Sequence, residues 1–102
     1  MGGLNPYRVE FDLRAVRDGA KLSVSNRRRI REKLEFLRAA PFRSHPGVSV
    51  KEVGDLRGVW RFPVASDVRA FYTVVGDALW VIMNEKSAGV TRRTVRELRR
   101  RL

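Results

Sequence analysis

From residue 48 to residue 83 apolar residues recur with a period of two, and the gaps between apolar stretches suit only reversals of an extended chain. Residues 48–53, 59–64, 68–75 and 78–83 are rich in Val, Trp, Phe and Tyr, which fit a pleated, half-buried surface. Gly76-Asp77 leaves two residues between the last two stretches, with Gly76 free to take positive φ, which reads as a hairpin turn. Ala65-Ser66-Asp67 joins the earlier pair through a slightly longer loop. Strands linked this closely pair antiparallel, because a parallel partner needs a long crossover. Pro63 falls inside one stretch and has no N–H for the ladder, so a bulge or a sheet edge is expected there.

Upstream the period changes. Tyr7, Val9 and Phe11 alternate with Arg8 and Glu10, a half-buried strand over residues 7–11. Asp12 suits the N-cap of a short helix over residues 13–22. Ser23-Val24-Ser25 breaks that helix and can cap a second one over residues 26–39. Its apolar stripe is Ile30, Leu34 and Leu37. Arg27, Arg28, Arg29 and Arg31 fill the rest of its first two turns, against the helix dipole, with partial relief from Glu32 and Glu35. Pro41 ends it. Near the C-terminus Thr91 can cap a last helix, with Val90 and Val95 as a hydrophobic staple. Val95, Leu98 and Leu102 form its stripe among Arg92, Arg93, Arg96, Arg99, Arg100 and Arg101. The order β-α-α-β-β-β-β-α predicts an α+β fold: a small antiparallel sheet with two N-terminal helices on one face. The C-terminal helix packs at the sheet edge or moves freely.

Charge narrows the function classes. Lys and Arg number 22 against 11 acids, a formal net charge of +11 with a pI near 11.5, the footprint of a polyanion partner. Eighteen of the 22 are Arg, whose fork binds phosphate bidentately and stacks on bases. Cysteine is absent, which excludes disulfides, thiol nucleophiles and thiolate metal sites. No stretch approaches the ~18 apolar residues of a membrane span. The N-terminal run has neither the basic start nor the apolar core of a signal peptide, so a cytosolic protein is expected. No metal and no cofactor is expected.

Several of these segments together resemble a known family. Phe11-Asp12-Leu13-Arg14-Ala15 follows the first strand, and two helices end at a proline. Then come Leu56-Arg57-Gly58-Val59-Trp60-Arg61, a turn, and Val68-Arg69-Ala70-Phe71-Tyr72. This is similar to the RelE/ParE toxin superfamily of type II toxin–antitoxin systems, whose middle reads leucine-x-glycine-x-aromatic-arginine, turn, aromatic-arginine-x-x-tyrosine. The resemblance runs from Tyr7 to about Leu98 and implies that residues 1–102 form a single toxin domain. It implies a cognate antitoxin partner that wraps the toxin, a monomeric free toxin and a hetero-oligomeric complex. RelE-like members cut messenger RNA in the ribosome without a metal; ParE-like members poison DNA gyrase. Fold alone does not choose between them.

Metal-free RNA cleavage needs a base for the ribose 2′-OH, an acid for the leaving 5′-oxygen and positive charge on the phosphorane. One histidine cannot make a paired-histidine ribonuclease. The resemblance assigns the catalytic positions to Arg61 and Arg69, which would hold the scissile phosphate, and Lys86, which would move the proton. Arg57, Arg92, Arg93 and Arg96 would bind RNA. Two departures stand against full activity. The second basic position of the motif strand is Pro63, and no Tyr or His follows Tyr72. Arg stays protonated and is a poor base. The alternative expectations are therefore a ParE-like gyrase inhibitor or a catalytically degenerate RNA-binding relative.

Each candidate also has a plainer account. Arg61 and Arg69 can be solvated or pair with Asp55 or Asp67, and Glu85 can pair with Lys86. Arg27, Arg29 and Arg31 can simply be a solvated helix face. Trp60, Phe62, Phe71 and Trp80 at strand spacing read as core, and Tyr72 as packing. His45, in a Pro/Gly loop, is assigned no role.

Overall fold

The computed structural model describes residues 6–87 and 89–102. The run 1–5, read above as lacking a signal peptide, lies outside the described residues. The elements in chain order are β1 (Arg8–Phe11), α1 (Leu13–Gly19), α2 (Val24–Leu37), β2 (Lys51–Glu52), β3 (Val59–Ala65), β4 (Val68–Val75), β5 (Ala78–Lys86) and α3 (Arg92–Arg101). This is the expected order.

Side-chain caps set each helix start. Asp12 accepts from Arg14 N, and Ser23 accepts from Asn26 N. Thr91 and Thr94 form a reciprocal capping box. Val90 and Val95 pack in one cluster, as a staple requires. α1 stops at Gly19, three residues short of the expected end. There Arg27 donates to the carbonyls of Gly19 (3.1 Å) and Leu22 (2.8 Å), satisfying groups the helix end leaves free. Arg27 thus closes the α1–α2 turn and is not part of a solvated face.

The strand order is β1-β5-β4-β3-β2. Consecutive strands from β2 to β5 pair antiparallel, while β1 joins β5 in parallel, so the sheet is mixed. The connection from β1 to its parallel partner β5 runs through both helices and the three other strands, well beyond the roughly twelve residues such a pairing needs. Gly76-Asp77 is the expected two-residue turn, with Gly76 at φ 59°. The β3–β4 turn is shorter than expected: Ala65 pairs with Val68, leaving only Ser66 and Asp67. The bulge expected at Pro63 is present, as a register shift between Pro63 and Ala65. A second shift leaves Ile82 over between the pairs Tyr72–Val81 and Phe71–Met83.

β2 contracts from the expected 48–53 to two residues. Ser44 Oγ accepts Val50 N, and His45 and Val48 exchange backbone hydrogen bonds, so local partners replace the ladder.

The sheet carries helices on both faces. Ala15, Ile30, Leu34 and Leu37 of α1 and α2 pack with Phe62, Ala70, Tyr72, Leu79 and Val81 on one side. Val95 and Leu98 of α3 pack with Val59, Phe71, Ile82 and Met83 on the other. α3 is thus neither at the edge nor free. Its buried stripe is Thr94, Val95 and Leu98, and Leu102 is left outside it at 58% exposure. Phe62 and Phe71 are buried and Trp60 and Trp80 half-buried, core residues as read.

Candidate nucleic-acid interface

The strand register fixes where the motif arginines stand. Side chains alternate along a strand, and Val59 and Phe71 belong to the face covered by α3. Arg61 follows Val59 by two and Arg69 precedes Phe71 by two, so both arginines share that face. Arg61 pairs with Phe71 and Pro63 pairs with Arg69, which makes the two arginines diagonal neighbours. Pro63 is exposed beside them.

Neither anticipated acid holds them: Asp67 Oδ2 lies 4.0 Å from Lys86 Nζ, and the Asp55 carbonyl meets Arg99. Arg69 donates from Nη1 to Ser87 O (3.0 Å), and its Nε is buried without a hydrogen-bond partner. Glu85 sits directly across the ladder from Arg69. It accepts from Thr94 Oγ1 through Oε1 (3.1 Å), and its Oε2 is buried and unpartnered. It does not pair with Lys86, which the register places opposite Val68, a residue of the other face.

Lys86 therefore stands apart from Arg61 and Arg69, at the end of the sheet and 74% exposed. It lines an open groove of about 750 Å³ between α3, the end of β5 and the end of α1. Arg93 and Arg96 line the same groove, joined by Lys21 and Arg100. Arg61, Arg69, Arg57 and Arg92 do not. Arg92 lines a smaller groove of about 290 Å³ on the opposite flank of α3, with Arg96 and Arg99. Arg57 is exposed in the loop before β3, where Gly58 at φ 84° takes the motif glycine's place in the left-handed region. Lys21 is a groove residue that sequence reasoning did not single out, and Glu85 is one it named only as a partner for Lys86. Only the docking of α3 against the ends of β5 and α1 makes them neighbours.

The groove's other acids are already committed. Asp18 accepts from Arg101 Nη1 and Nη2 and from Asn84 N. Glu97 accepts from Arg100 and Arg101. The hydrogen bond from Arg101 pulls the Glu97 carboxyl below its ordinary range. Hydrogen bonding to Asp18 raises the Arg101 guanidinium. Lys21, Lys86, Arg93, Arg96 and Arg100 thus present a cationic wall to an anionic chain. Tyr72 donates to Pro41 O at 2.6 Å in the core, and burial pushes its hydroxyl well up, so it packs rather than transfers protons. His45 is tied to Ala40 O at 2.9 Å. No cluster of three His, Cys, Asp or Glu suited to a metal occurs among the described residues. No helix among them is long and apolar enough to cross a membrane.

No family model and no curated protein matches this chain by sequence. Its structure does have counterparts. An arginine-to-alanine double mutant of the E. coli toxin RelE in the free state superposes with a TM-score of 0.75, at 21% identity, covering 96% of this chain and 99% of that one. The chain has the RelE/ParE toxin fold. A YoeB/ParE toxin from Agrobacterium tumefaciens gives 0.66 at 19% identity, covering 78% and 96%. The archaeal RelE–RelB complex from Pyrococcus horikoshii gives 0.64 at 20% identity, covering 85% and 100%. The RelE/ParE fold here therefore presents Arg61 and Arg69 on its α3 face and a separate basic groove along α3.

Proposed function

We propose that this protein is the toxin of a type II toxin–antitoxin system and cuts messenger RNA on the ribosome. The basic groove between α3, β5 and α1 carries this reading. Six cations line it, on a fold shared with RelE. An RNA backbone laid along it meets Lys86, Arg93, Arg96 and Arg100, while Arg61 and Arg69 hold a phosphate on the adjoining sheet face. Arg57 and Arg92 extend the contact on either side. Attack of the 2′-OH then gives a 2′,3′-cyclic phosphate and a free 5′-OH. The proposed partners are a cognate antitoxin, the ribosome and its message. The free toxin is proposed to be monomeric and its antitoxin complex hetero-oligomeric.

The test is primer extension on message from translating ribosomes treated with the full chain. Cuts in the A-site codon are expected. Uncut message at toxin levels that stop growth would end the endonuclease reading. Pro63 favours a second reading, because the residue beside Arg69 offers no charge. A ParE-like toxin would inhibit DNA gyrase, and supercoiling would fall while translation continued. Co-purification with an acidic protein encoded next to the gene is expected under both readings.

A further inference from the structure

The ladder sets a second cation directly opposite Arg61. Lys51 of β2 is its cross-strand partner, and directly opposed residues of an antiparallel pair point to the same face. Val53, two residues on, lies in the cluster beneath α3, so this is the face that Arg61 and Arg69 share. Like charges opposed in this way destabilise a sheet unless something offsets them. Neither Lys51 nor Arg61 pairs with a carboxylate among the described residues. Glu52, the acid next to Lys51, stands opposite Trp60 on the other face, and its Oε2 accepts from Gly58 N at 2.6 Å. Lys51 is exposed and Arg61 half-buried, so the pair is open to an anion from outside. Lys51, Arg61 and Arg69 stand on three successive strands. Lys51 and Arg69 are therefore two strand spacings apart, about 10 Å, which is wider than one phosphate. Neither the motif nor the charge count singles out Lys51, because only the register of β2 on β3 brings it opposite Arg61.

We propose that Lys51 and Arg61 hold a second backbone phosphate of a single-stranded RNA, next to the one between Arg61 and Arg69. The RNA then crosses the α3 face from β4 to β2 and leaves the sheet over its β2 edge. The Arg61 fork is shared between the two phosphates, and the Lys51 ammonium adds a point charge at the outer one. The bound phosphate offsets a repulsion that the free protein carries. No bond forms or breaks at this subsite. It holds the chain on one side of the linkage to be cut. The assignment deepens the reading of the protein as an RNA-acting toxin and rests on it.

The experiment is fluorescence anisotropy of a short single-stranded RNA with the full chain, across a salt series. Lys51→Gln should weaken binding about tenfold at low salt and lower the log–log salt slope by about 0.7. Lys51→Arg should keep both. Arg28→Gln removes an exposed cation from α2, on the opposite face of the sheet, and should leave the slope as it is. Lys51→Gln also relieves the like-charge pair, so its urea midpoint should hold or rise. A slope that Lys51→Gln does not change, or that Arg28→Gln lowers equally, overturns the assignment. So does a midpoint that falls together with the affinity, since Lys51 would then be a structural residue. Cutting on translating ribosomes is read separately. A wild type with the Lys51-dependent slope that cuts nothing keeps the subsite and ends the endonuclease reading. One that cuts, with a slope independent of Lys51, does the reverse.

Discussion

Arg101 in the last turn of α3 grips Asp18 at the end of α1 with both Nη atoms, at 2.5 and 3.2 Å, in a contact with side-chain exposures of only 10% and 17%. The same Arg101 donates to Ile82 O of β5, and Arg14 reaches the carbonyls of Arg100 and Arg101. This knot holds α3 on the sheet and so builds the groove. Asp18→Ala leaves Arg101 mostly buried with only Glu97 to pair with. Removing one partner of a buried pair costs about 3 kcal/mol or more. Denaturant unfolding of Asp18→Ala should show that loss, and amide exchange in α3 should rise with it. Unchanged exchange in α3 would show that the helix is held by its apolar stripe alone.

The groove cations act as point charges on a polyanion and should be read through salt. Each phosphate contact contributes about 0.7 to 0.9 to the log–log slope of RNA affinity against salt. Arg93→Ala with Arg96→Ala should lower the slope by about 1.4 to 1.8, measured by fluorescence anisotropy on a short RNA. Arg69→Ala should behave differently. It should abolish cutting and only weaken binding, because it acts at one phosphate. A double variant that keeps the wild-type slope would take RNA out of the groove.

Two carboxylates tie acid stability to the helix ends. The hydrogen bond from Arg14 holds Asp12, and that from Arg101 holds Glu97, below their ordinary values of 3.8 and 4.5. A carboxyl with a depressed folded-state value adds stability above its unfolded value and loses it as pH falls through the folded one. The urea midpoint should therefore stay flat from pH 7 to about 5 and fall below about 4. Asp12→Asn keeps the N-cap acceptor and removes the ion pair, so it should flatten part of that fall. A midpoint unchanged down to about pH 3 would contradict the role of these pairs.

The fold was legible where local chemistry decides it. Asp12, Ser23 and Thr91 announce helix starts because caps act within three residues, and Gly76 and Pro63 announce a turn and a bulge through backbone constraints alone. The face to which α3 docks was not legible. Its stripe of Thr94, Val95 and Leu98 looks the same to an edge or to a sheet, and only the bulge at Ile82 turns two consecutive residues, Ile82 and Met83, toward it. The candidate site divides along the same line. Arg61 and Arg69 share a face because period two and a short turn require it. Lys86, expected just past the last strand, is the final residue of β5 and faces the other side of the sheet, and Glu85 takes the face of Arg69. Lys21 belongs to the groove only through the docking of α3 against the end of α1.

Pro63 offers the sharpest substitution. It sits in the β3 bulge, exposed on the face of Arg61 and directly opposite Arg69, where its ring presents no charge. Its missing N–H is tolerated there because the ladder is already interrupted. Pro63→Arg restores a guanidinium two residues along from Arg61, at the position where phosphate charge would develop. One more cation on the phosphorane is worth about 1.4 kcal/mol or more, hence at least about tenfold in rate. Cutting of ribosome-bound message should rise by that factor, with no comparable gain in RNA affinity at high salt. A variant that binds more tightly and cuts no faster would place the reacting phosphate away from Arg61 and Arg69.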